Sequence, residues 1–150
     1  MTHAEHAKSL FLGGHNCAQA VVGAFAERFS VNEADAMRMT AALGGGLARQ
    51  REVCGAVLGM GIVLGLAAGE FDPDDRSAKT ELYRRTQAIC SRFAEENGSI
   101  LCRELLGGEK RGGDPSERTE TYYKKRPCAE LVTFAAELLE QILEESAEER

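Results

Sequence analysis

Between Glu52 and Glu70 the chain runs for 17 residues, Val53 to Gly69, without a charge, and five of those positions are glycine. A bilayer span needs about 20 apolar residues, so the stretch is marginal as a membrane helix. Each interior glycine costs about 0.5–1 kcal/mol of helix stability relative to alanine, and some close contact has to offset that. Gly55 and Gly59 recur four residues apart, as do Gly61, Gly65 and Gly69, which puts each set on one face of a helix where a neighbour or a cofactor can approach the main chain. The expectation is a central, buried glycine-rich helix rather than a membrane span, and such a helix needs other elements wrapped around it.

Composition names those elements. The 150 residues are 43% hydrophobic but only 6% aromatic, with three prolines and no tryptophan, unlike the strand-rich composition of a sandwich or barrel. Alanine, leucine and glutamate favour helix, and the length suits one core. The fold class expected is all-α: a single-domain helical bundle, residues 1–150, of about five to seven helices. Eighteen Lys+Arg against 24 Asp+Glu leave a net charge of −6, the wrong sign for a phosphate-neutralising surface, so nucleic acid is excluded as a partner.

Local signals place the helices. A first helix spans His3 to Phe11 and stops at Gly13-Gly14. Asn16 caps a second with the apolar stripe Ala18, Val21, Val22, Phe25 and Phe29. Asn32 opens a third, with Glu33 and Asp35 where the helix dipole favours negative charge, running toward Gly44-Gly45-Gly46. After the polar turn Arg49-Gln50-Arg51-Glu52 comes the glycine-rich helix. Asp72-Pro73-Asp74-Asp75 starts a fifth that ends at Asn97-Gly98, and Ser99 caps a short sixth through Leu106. Residues 107–127 read as a mobile polar loop with at most a single helical turn, Pro127 begins the last helix, and residues 144–150 read as a frayed tail.

On this reading four of the five cysteines share one structural address. Cys17, Cys54, Cys102 and Cys128 all fall in the first turn of a helix, where unpaired N–H groups and the dipole stabilise a thiolate. Cys90 lies within a long helix beside Ile89 and Phe93 and reads as a small apolar side chain. The gaps between successive cysteines are 36, 35, 11 and 25 residues, so there is no CxxC and no zinc-finger or bacterial ferredoxin spacing. No P-loop, GxSxG or HExxH occurs either. His15, two residues before Cys17, reads as a solvated loop histidine; Arg49 and Arg51 read as turn residues that could add positive potential near Cys54. Tyr122-Tyr123 and Lys124-Lys125-Arg126 read as a solvated face.

The chain resembles a known family. Asn16-Cys17-Ala18-Gln19-Ala20-Val21 is similar to the first cysteine box of the C_GCAxxG_C_C family, and Cys54-Gly55-Ala56-Val57-Leu58-Gly59 to the core of its second. Cys102 and Cys128 resemble the third and fourth family cysteines, Val53 stands where the family name has glycine, and Cys90 has no counterpart. The resemblance, which runs from about Gly13 to Val132, implies a redox role.

Three functions remain open at this point. In the first, Cys17, Cys54, Cys102 and Cys128 converge on one electron-transfer site and ligate an iron–sulfur cluster or zinc, with Gly55 and Gly59 letting the cofactor near the backbone. In the second, the protein exchanges thiols and disulfides without metal, Cys54 attacking and another cysteine resolving. In the third it is a cofactor-free binding module whose cysteines only pack. The redox partner is unknown, and the glycine-striped face suits packing against a second copy in a homo-oligomer. Met1 to Ser9 has no apolar stretch and the cysteine count is odd, so a cytoplasmic location is expected.

Overall fold

Helix boundaries in the computed structural model, which describes residues 1–148, follow side chains able to satisfy the unpaired N–H groups of a helix start. Thr2 begins α1 (His3–Leu12) with a capping box: its Oγ1 accepts from the Glu5 N–H, and Glu5 Oε2 accepts from the Thr2 N–H, both at 3.0 Å. Asn16 does the same for α2 (Cys17–Ala26) with Gln19, and its Nδ2 also donates to the Thr40 and Ala41 carbonyls at 3.3 and 3.0 Å. One asparagine thus fixes the start of α2 against the end of α3 (Glu33–Thr40), which Asn32 caps.

The glycine-rich helix is α4 (Gly55–Ala68). Asp75 caps α5 (Arg76–Asn97), which Gly98 ends in the left-handed conformation. The short α6 (Cys102–Leu106) begins at Leu101 rather than at Ser99; the Ser99 hydroxyl accepts from the Leu101 N–H instead. Thr119 caps α7 (Glu120–Lys125), and α8 (Cys128–Glu148) completes the chain. Apart from the left-handed turn at Gly44–Leu47, there are eight α-helices among the described residues, six of them of eight residues or more, and no strand. The two short helices α6 and α7 bring the number just above the expected range. Helix α8 runs into the stretch expected to fray, and residues 149–150 of that stretch lie outside the described residues.

Helix α2 shares the centre with α4. From Ala20 to Ala26 every residue of α2 is buried, because α1, α3, α4 and α8 all pack on it. Val21, Val22 and Phe25 have no exposed surface, and side chains of that size contribute about 1.5–3 kcal/mol each on full burial. The α2–α4 crossing explains one glycine stripe: a Cβ on Gly59 would stand 2.9 Å from Val21 Cβ, and one on Gly55 would stand 3.2 Å from Cys17 Cβ. The other stripe is looser, with Thr86 4.0 Å from the Gly61 position and nothing within 4 Å of Gly65. No helix among the described residues is long and apolar enough to cross a membrane. At the amino end, His3 stacks on Phe25 at 4.2 Å and its Nδ1 meets Glu140 at 2.8 Å, which ties α1 to α8.

Two features of the connections set up the site. From Gly45 to Arg49 five consecutive residues have positive φ, and Arg51 follows at φ 58°. For L residues this conformation costs on the order of 1–3 kcal/mol each and persists only where surroundings enforce it. Farther on, Val53 forms an isolated antiparallel bridge with Leu101. The Cys54 N–H donates to Ile100 and the Cys102 N–H to Glu52, both at 2.7 Å.

Candidate functional site: a cavity lined by four cysteines and four arginines

Cys17 is the first residue of α2, Cys102 of α6 and Cys128 of α8, while Cys54 immediately precedes α4. The crossing of α2 on α4 brings Cys17 next to Gly55, and the Val53–Leu101 bridge sets Cys54 and Cys102 on paired segments. All four cysteines line one cavity of about 300 Å³. Gly55 lines it too, whereas Gly59 lies outside and meets Val21. Cys90 is elsewhere, half-buried on α5, and burial pushes its thiol up. All five cysteines are free.

The four sulfurs are not electrostatically alike. Interaction with the Cys128 sulfur, then burial, then repulsion from the other three sulfurs, hold the Cys17 proton on well above the usual thiol value of 9.0. The same interaction lowers Cys128, and although burial opposes it, the nearby guanidinium groups of Arg126, Arg118 and Arg51 reinforce it. Burial dominates at Cys54 and pushes it up to about 12 against the pull of the Ala56 and Val57 N–H groups. A helix start favours a thiolate, but only where desolvation does not outweigh it. The electrostatics therefore make Cys128 easier to ionise than Cys17 or Cys54.

Sequence reasoning named Arg49 and Arg51, read Arg126 as solvated and missed Arg118. Arg49 and Arg51 stand in the left-handed turn and line the cavity together with Arg118 and Arg126. Arg51 is 2% exposed; its Nη1 donates to Cys102 Sγ at 3.6 Å and its Nε to the Lys110 carbonyl at 3.1 Å. Arg118 lies over the Phe11 and Tyr122 rings, 4.8 Å from each centroid, and donates to the Phe11 and His15 carbonyls. His15 thus contributes its backbone, not its ring. Arg126 sits 4.5 Å from the Tyr122 centroid and pairs with Glu109 at 3.2 Å. Of the face expected to be solvated, Lys124 and Lys125 are exposed, while Tyr122 and Arg126 turn inward.

The loop read as mobile is tied to this turn. Arg49 Nε donates to the Gly112 carbonyl at 2.8 Å and Nη1 to Ser116 Oγ at 2.6 Å, the Gly112 N–H returns a bond to the Arg49 carbonyl at 2.8 Å, and Arg111 reaches Glu52 at 2.6 Å.

A model of the family described as "putative redox-active protein (C_GCAxxG_C_C)" matches residues 15–142. The chain belongs to this C_GCAxxG_C_C family. No curated protein and no solved structure matches it. Family membership invites a metal centre on the four cysteines, and the donor geometry tests that. Among the described residues no group of three or more His, Cys, Asp or Glu side chains is placed to hold a metal ion. The four C_GCAxxG_C_C cysteines of this chain share one cavity but are not placed as a ligand set among the described residues, so no step is routed through iron or zinc.

Proposed function

We propose that the protein carries out thiol–disulfide exchange, with Cys128 as the attacking thiolate and Cys17 as the resolving thiol. The observation that carries this reading is the placement of Cys17 and Cys128 in one cavity lined by arginines, where the two sulfurs perturb each other, Cys128 downward and Cys17 upward. An attacking sulfur has to be ionised near ambient pH, and its partner has to lie within reach of the mixed disulfide.

The chemistry balances with a small disulfide, RS–SR′, as oxidant. The Cys128 thiolate attacks one sulfur, forming the mixed disulfide Cys128–S–S–R and releasing R′S⁻. The Cys17 sulfur then attacks Cys128 Sγ as its proton passes to the departing RS⁻, which leaves as RSH. Two electrons have moved to the substrate, and the protein holds a Cys17–Cys128 disulfide. Cys54, kept protonated by burial, takes neither role, and Arg118 and Arg126 balance the charge on Cys128. A reducing cytoplasm would return the pair to the dithiol state.

Trapping tests the assignment. Reduced protein is mixed with excess 2-hydroxyethyl disulfide, quenched with N-ethylmaleimide and weighed. Wild type, Cys54→Ser and Cys90→Ser are expected to lose two thiols, Cys17→Ser to accumulate a mixed disulfide on Cys128, and Cys128→Ser to stay unmodified at matched times. Oxidation of Cys128→Ser at the wild-type rate, or an adduct on Cys54, would overturn it.

A further inference from the structure

The chain carries a net charge of −6, yet no aspartate or glutamate lines the cysteine cavity while four arginines do. Of those four, only Arg126 has a carboxylate partner, Glu109. Arg49 and Arg118 are bonded to carbonyl and hydroxyl oxygens alone. Arg51 is the exceptional one. It is 2% exposed, its Nε and Nη1 are engaged, and its Nη2 has no hydrogen-bond partner among the described residues.

A buried guanidinium nitrogen left unpaired costs more than the roughly 1–3 kcal/mol of a neutral orphan donor, because the group is charged. Natural structures rarely carry such a group without something to bind it. The backbone that presents Arg51 is itself in an unfavourable region, at φ 58° after five successive positive-φ residues, and strain of that kind collects at ligand sites. The cavity is lined in addition by Phe11, Leu105, Leu106 and Leu131, which gives an apolar wall facing a cationic one.

We propose that this cavity binds the carboxylate of a small molecule at Nη2 of Arg51, with Arg49 and Arg118 adding positive potential. Resting on the exchange reading above, the natural disulfide substrate is accordingly a low-molecular-weight disulfide bearing carboxylates. Nη2 offers its N–H donors to the oxygens of a carboxylate, and inorganic phosphate serves to separate a carboxylate site from a general anion site. At about 300 Å³ the cavity is at the small end of metabolite sites, which excludes a folded protein segment as the group that enters.

Octanedioate tests binding without any thiol chemistry, since it has the length of 3,3′-dithiodipropionate with two methylenes in place of the sulfurs. The melting temperature of reduced wild-type protein is expected to rise with octanedioate and not with 1,8-diaminooctane or inorganic phosphate, and Arg51→Met is expected to lose the rise. A second measurement does not depend on how well that variant folds. Rates of wild-type oxidation by 3,3′-dithiodipropionate, 2-hydroxyethyl disulfide and cystamine are each divided by the rate with a free thiol. The anionic reagent should exceed the cationic one by about tenfold or more, as expected for a charge-complementary site. The preference should collapse in Arg51→Met, where any change in the Cys128 thiolate fraction cancels from the ratio. A rise with octanedioate but no oxidation by any disulfide would support the carboxylate site and sink the exchange reading. Oxidation that follows the free-thiol order, with no octanedioate rise, would sink the carboxylate site and leave exchange intact.

Discussion

The backbone of Gly46 passes so close to Cys102 that a Cβ at position 46 would stand 2.8 Å from the Cys102 Cβ and 2.6 Å from the Glu52 nitrogen. Together with φ 68°, this makes glycine the one residue that fits where the left-handed turn meets the sulfur lining. Gly46→Ala is expected to destabilise the fold by about 2 kcal/mol or more, from the clash and the backbone strain combined. Gly65→Ala is the counterpart: nothing lies within 4 Å of that position and its φ is ordinary, so helix propensity should add about 0.5–1 kcal/mol of stability. Thermal denaturation of both variants checks the pair, and equal losses would refute the distinction.

Alkylation by iodoacetamide reads thiolate directly. Cys128, held below the ordinary thiol value by the Cys17 sulfur and the arginines, is expected to react first and to titrate at lower pH than the other thiols. Removing the Cys17 thiol in Cys17→Ala should move that profile to higher pH. An unchanged profile would mean that Cys17 does not lower Cys128 as described above.

Alkaline stability follows from Cys54. Its folded-state value of about 12 lies above the ordinary 9.0, so the unfolded chain releases this proton first. The stabilisation is complete below about pH 9 and is lost as pH rises toward 12. Between those limits the slope should be on the order of 1 kcal/mol per pH unit for this thiol. Cys17, also raised, adds in the same direction. Denaturant melts of wild type and Cys54→Ala from pH 8 to 10.5 should show the shallower decline in the variant.

Particular residues explain how far the sequence could be read. Asn16, Asn32 and Asp75 cap helices through their own side chains, a local interaction, so these starts and the helix-start position of the cysteines are visible in the chain itself. The Gly55/Gly59 stripe likewise announces a close helix contact, and Val21 and Cys17 supply it. The bridge between Val53 and Leu101 joins segments far apart in the chain and has no local signature. Nor does Arg49-Gln50-Arg51-Glu52 betray a left-handed backbone, since nothing but surrounding contacts enforces that conformation in non-glycine residues. Arg118 and Arg126 reach the cavity through the rings of Phe11 and Tyr122; the Tyr122-Tyr123 pair beside basic residues was the one available signal. The charge state of each thiol was hidden for a further reason, because burial at Cys54 overrides the helix start that the sequence does reveal.

Disulfide mapping of the wild-type protein after one equivalent of a small disulfide tests the central claim most directly. Peptide mass spectrometry under conditions that block exchange should find Cys17 joined to Cys128, with Cys54, Cys90 and Cys102 still free. A bond between any other two cysteines, or a protein that keeps all five thiols, would contradict the account.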